Sequence, residues 1–122
     1  MLATIVSQGY VADEFAYLAR TPAGAGDVAL QKAGKQIGDV KRVEVNEAFC
    51  SVALNSTRML EADPETVNVN GGAVALGHPI GASGARILVT LLHAMAARGA
   101  RTGGASLCIG GGEGIALLVE RT

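Results

Sequence analysis

The chain has 122 residues, 49% hydrophobic and 17% charged, with a formal net charge of -1. That is the length of one domain, with enough apolar surface to offset chain entropy, so intrinsic disorder is excluded. Near-neutral charge, 3% aromatics and no Trp also argue against a nucleic-acid binder or an anionic-membrane surface protein.

In chain order, the β-branched run Leu2–Val6 reads as a strand and Asp13–Arg20 as a connection. Pro22 opens a helix that ends at Ala33, with Gly34 as a left-handed cap. Arg42–Val45 is a second strand. A helical period follows from Glu47, with Asn46 as its N-cap and Phe49, Val52, Ala53, Ser56 and Leu60 on one apolar face, until Pro64 ends it. Val67–Val69 is a third, short strand. The next helix is Ser83–Arg98, burying Leu88, Leu91, Leu92 and Met95, with Gly99 after its end. Ala105–Ile109 and Ile115–Val119 form a hairpin around Gly110–Gly114. This order predicts an α/β layered domain: a five-stranded mixed sheet with one antiparallel strand and helices on both faces. Ligands of such folds bind at the carboxyl edge of the sheet, where Asn46, His78 and Cys108 can meet.

Twelve of the seventeen glycines lie between Gly71 and Gly114, with no collagen period. Two cysteines, Cys50 and Cys108, cannot build a disulfide scaffold and read as thiols in a reducing cytoplasm. No basic stretch precedes an apolar run at the N-terminus, so no signal peptide is read. The apolar run Ile87–Ala97 contains His93 and is too short to span a bilayer.

Three motifs carry chemistry. Gly71–Arg86 lacks the Lys-Ser/Thr pair of a P-loop and the G-x-G-x-x-G spacing, leaving only phosphate cradling by the helix N-terminus near Ser83. Its distinguishing feature is His78 between Gly77 and Pro79: histidine exchanges protons near neutral pH, and glycines admit close approach. The bland alternative is a histidine satisfied within a tight turn. His93 shares the polar side of its helix with Arg86 and Thr90 and reads as solvated. Cys108, followed by Gly110, Gly111 and Gly112, is either a reachable thiol beside backbone N–H donors or a buried structural cysteine before a glycine turn. Asn46-Glu-Ala-Phe49 alone reads as an N-cap and a core Phe.

Together, Asn46-Glu-Ala-Phe49, Gly71–Arg86 with Gly77-His-Pro79 inside it, and Cys108-x-Gly-Gly-Gly-x-Gly114 resemble the thiolase family in order and spacing. The resemblance covers the chain from Leu2 onward. It implies that residues 1–122 are the C-terminal half of an acetyl-CoA acetyltransferase or 3-ketoacyl-CoA thiolase. The substrates would be acyl-CoA and acetyl-CoA thioesters, with no cofactor and no metal. The nucleophilic cysteine and the CoA-gripping loop domain would belong to an N-terminal half on another chain, and the complete enzyme would be a homo-oligomer. By resemblance, His78 takes the nucleophile's proton and, with Asn46 acting through water, forms an oxyanion hole. Cys108 is the acid/base, Gly110 N–H belongs to the oxyanion hole of the acyl-enzyme, and Phe49 lines the pantetheine channel.

Two departures stand out. Cys50 occupies a position where the family commonly has alanine, and reads as a small buried thiol. Glu113 puts a carboxylate in the glycine turn, which would raise a neighbouring thiol's pKa. Against the enzyme reading stands a non-catalytic truncated module or assembly subunit; retention of Asn46, His78 and Cys108 favours the enzyme. A ketoacyl synthase would use a second histidine in place of Cys108.

Overall fold

The computed structural model describes all 122 residues. One sheet has the strand order β1-β4-β3-β2, with β1 at Thr4–Ala12, β2 at Arg42–Val45, β3 at Thr102–Ile109 and β4 at Glu113–Glu120. β4 runs antiparallel to both β1 and β3, whereas β2 and β3 are parallel. The sheet is therefore mixed with one antiparallel strand, as the element order predicts, but it has four strands rather than five.

The missing strand is Val67–Val69, and its own sequence explains why. Val67 makes a single bridge to Val43, and Asn68 N–H donates to Val43 O at 2.9 Å. The chain then turns, because Asn68 adopts a left-handed φ of 47°, a conformation that Asn tolerates better than most residues. Its side chain completes the pairing instead. Val45 N–H donates to Asn68 Oδ1 at 2.8 Å, and Asn68 Nδ2 donates to Val45 O at 2.9 Å. A side-chain amide thus takes the place of a strand.

β1 is longer than its apolar run. It continues through Gly9 to Ala12 because a helix lies directly on it. A Cβ at Gly9 would sit 1.9 Å from Ala25 O, so only glycine permits this approach. That helix, α1, spans Thr21–Ala33 with Pro22 in its first turn, and Gly34 caps it at a φ of 62°. The preceding connection contains a 3-10 helix, Phe15–Arg20.

The second long helix, α2, covers Cys50–Met59 and starts later than the period predicts. Asn46 is not its N-cap. Asn46 N–H donates to Ser106 O at 2.9 Å, which keeps it on the sheet, and Phe49 takes the cap position with extended backbone. Phe49 is 69% exposed and not a core residue; Cys50 is exposed and not buried. Val52, Ser56 and Leu60 are buried as expected. A four-residue helix, α3 (Ala73–Leu76), lies within the glycine-rich segment, and α4 spans Ser83–Ala97.

α1 and α2 cover one face of the sheet, and α4 lies over β2 and β3 on the other. Ile87, Leu91 and Met95 of α4 are fully buried, each stabilising the fold by ~1.5–3 kcal/mol. Leu88 and Leu92 are only half-buried, Val89 is exposed, and His93 is solvated as expected.

Candidate active site

β2 ends at Val45, opposite Ser106 of the parallel strand β3, which continues to Ile109. Asn46 leaves β2 at this edge and Cys108 lies two residues beyond Ser106, so both reach the carboxyl edge of the sheet. Asn46 is fully buried. His78 arrives from the loop between α3 and α4, with Asn46 Nδ2 lying 3.5 Å from each ring nitrogen. That distance is at the outer limit of a hydrogen bond, so the amide faces the imidazole without occupying either nitrogen.

The ring is oriented from its other side. His78 Nδ1 is 2.6 Å from Ser83 Oγ, and Ser83 donates its one hydroxyl proton to Pro79 O at 3.1 Å. Both contacts are satisfied together when Ser83 accepts from a neutral imidazole that carries its proton on Nδ1. Nε2 is left with a lone pair, the form a general base needs. The imidazole itself is exposed. Its chain neighbours Val74, Leu76 and Ile80 are 65%, 70% and 87% exposed, so uncovered apolar side chains flank the histidine.

Cys108 is half-buried and packs against the α1-side core. Its sulfur stands outside the Asn46–His78–Ser83 hydrogen-bond chain. Burial pushes the thiol up, with a hydrogen bond from its own backbone opposing, so the group holds its proton. Glu113 is not the cause of that shift. Its carboxylate instead raises the phenol of Tyr10, first through a side-chain hydrogen bond. Gly110 opens the exposed turn between β3 and β4, where Gly111 and Gly112 adopt φ of 91° and 87°. A Cβ at Gly112 would lie 2.4 Å from Asp13 O, so the turn requires glycine there twice over. No three His, Cys, Asp or Glu side chains gather in a geometry that holds a metal ion, and no helix is long and apolar enough to cross a membrane.

The family described as "Thiolase, C-terminal domain" matches residues 1–121. The chain belongs to the thiolase C-terminal domain family. It is 61% identical over 100 residues to an acetyl-CoA acetyltransferase of Escherichia coli (strain K12), covering 82% of this chain and 25% of that protein. A probable acetyl-CoA acetyltransferase of the same organism is 51% identical over 121 residues, covering 99% of this chain and 31% of that protein. Human mitochondrial 3-ketoacyl-CoA thiolase superposes with a TM-score of 0.96 at 44% identity, over 99% of this chain and 31% of that one. The chain thus spans between 25% and 31% of the length of these relatives.

Several residues shape this thiolase C-terminal domain's site without announcing themselves in the sequence. Ser83 reads as a helix start, yet it orients the catalytic candidate His78. Glu47 accepts from Asn68 Nδ2 at 3.1 Å and from Val74 N–H at 2.9 Å, tying the loop after β2 to α3. Glu44, the charged residue between Val43 and Val45 on β2, is 2% exposed and faces α4. Burial pushes its carboxyl up to about 7, with Arg86 opposing and Glu47 adding to the shift. An acid raised in the folded state binds protons more tightly folded than unfolded, so its contribution favours the fold at low pH. That contribution fades as pH rises from about 4.5 through about 7.

Proposed function

We propose that this domain supplies one half of the active site of an acyl-CoA C-acyltransferase, interconverting 3-ketoacyl-CoA with acyl-CoA and acetyl-CoA. The observation that carries this reading is His78, its proton held on Nδ1 by Ser83, its ring faced by the buried amide of Asn46. That arrangement sets a base at the surface with a buried hydrogen-bond donor behind it.

In the cleavage direction, a cysteine of the N-terminal half gives its thiol proton to His78 Nε2 and attacks the 3-keto carbonyl. The bond between C2 and C3 breaks, and its electron pair moves into the thioester as an enolate. The protonated imidazole and Asn46, acting through a water molecule, donate to the enolate oxygen. Such donors are worth ~3–4 kcal/mol each in comparable sites. Cys108 protonates the enolate carbon, releasing acetyl-CoA. Burial, by keeping this thiol protonated, suits it to that step. Free CoA then gives its thiol proton to the Cys108 thiolate and attacks the acyl-enzyme. The acyl-enzyme's carbonyl oxygen is held by Gly110 N–H, and His78 returns its proton to the released cysteine. Condensation is the same path reversed. Phe49, exposed three residues after Asn46, lines the pantetheine channel.

Thiolysis of acetoacetyl-CoA tests this reading. The domain joined to a thiolase N-terminal half is expected to turn over, and the domain alone to give none, because no acyl-enzyme can form without the nucleophile. Turnover by the domain alone, or none by the assembly, would contradict it.

A further inference from the structure

We infer that Arg86 is a positioning residue for the proposed reaction, fixing which end of the Asn46 amide faces His78. The inference rests on the functional reading above. An Asn side chain can present either its NH2 or its carbonyl oxygen after a half-turn about its last bond. Only the NH2 is a donor. If the oxygen faced the imidazole, the site would lose its second donor to the enolate and set an acceptor against the Nε2 lone pair.

Arg86 sits on α4, three residues after Ser83. Its Nη2 donates to Asn46 Oδ1 at 3.3 Å. A guanidinium has five donors and no acceptor, so only the oxygen of the amide can face it. With that oxygen held, Nδ2 points toward the ring. One helix thus orients both sides of the pair: Ser83 fixes the imidazole, and Arg86 fixes the amide.

Glu44 keeps the cation in place. Its Oε2 lies 3.8 Å from Arg86 Nη1, and this carboxylate is 2% exposed. Neither that Oε2 nor Arg86 Nε or Nη1 makes a hydrogen bond, so Nη2 to Asn46 is the guanidinium's one hydrogen bond. A pair serving only to bind α4 to β2 would direct its fork at the carboxylate, the geometry in which such pairs are strong. Here the carboxylate attracts the charge and the hydrogen bond goes to the amide.

The test uses the complete enzyme carrying this domain. Arg86→Met is expected to lower kcat about 10- to 100-fold, the scale of a catalytic group misplaced by a fraction of its reach, with KM for acetoacetyl-CoA unchanged within about twofold. Arg86→Met also strands Glu44, so melting temperature should fall. The double variant Glu44→Gln/Arg86→Met removes the stranded charge and should recover the melting temperature while kcat stays low. Arg86→Lys, which can still donate to Asn46, should recover part of kcat. Recovery of kcat together with stability in the double variant would assign Arg86 a structural role and overturn the inference. Wild-type kcat in Arg86→Met would do the same. If the wild-type assembly itself fails to turn over, the functional reading has failed instead.

Discussion

Replacing His78 by alanine in the complete enzyme is expected to cut thiolysis of acetoacetyl-CoA by at least ~10², with the melting temperature within a few degrees of wild type. The two halves of that expectation have separate causes. His78 is exposed and fills no core space, so its removal leaves no cavity. What the fold loses is the bond from Nδ1 to Ser83, worth about 1 kcal/mol net. In a protein larger than about 150 residues that corresponds to a shift of roughly 2–4 °C or less. The chemistry loses far more, because the same ring is the base that activates the nucleophile and a donor to the enolate. Thermal melting and steady-state kinetics on the same preparation separate the two. A collapse of stability matching the loss of rate would return His78 to a turn-stabilising role.

The domain alone is expected to self-associate. Residues opposite each other in an antiparallel pair share a face, so the register places Ile5 with Val119 and Tyr10 with Ile115 on the α4 side of the sheet. α4 packs mainly on β2 and β3 there, reaching β4 at Val119, which is itself buried. A groove of about 330 Å³ remains beside α4, lined by apolar residues including Leu88, Leu107, Ile115 and Leu117. Ile5 is 61% and Val89 54% exposed on the same side. Each large side chain left in water forgoes ~1.5–3 kcal/mol of burial, and a contiguous patch of this kind marks an interface. On the functional reading, the N-terminal half covers it. Sedimentation of the domain alone should therefore show concentration-dependent association that disappears once that half is present. A monodisperse monomer across the concentration range would contradict this.

How far the sequence revealed the fold depended on whether structure was set locally. Periodicity placed α1 and α4, and the Gly34 cap, because those features follow from neighbours in the chain. Asn46 as a helix cap failed because a long-range bond to Ser106 outweighed its capping preference. The strand at Val67–Val69 failed because the Asn68 side chain satisfies Val45 in place of a backbone ladder. Arg42–Val45 was legible as a strand, but nothing local shows that α4 covers its second face and buries Glu44 against Arg86. At the site, the motifs drew attention to His78, Asn46 and Cys108. The residues that orient them, Ser83 and Arg86, belong to a different local pattern, a helix start and a helix surface, and become meaningful only when the chain brings them within bonding distance.

Exchange of acetyl-CoA methyl protons with deuterated solvent isolates the half-reaction assigned to this domain. The experiment uses the complete enzyme, with mass spectrometry of acetyl-CoA and of the enzyme itself. Wild type should incorporate deuterium. Cys108→Ala should still form the acyl-enzyme on the N-terminal half's cysteine, while methyl exchange drops by at least ~10². Exchange that persists at the wild-type rate in Cys108→Ala would contradict the assignment of enolate chemistry to this domain.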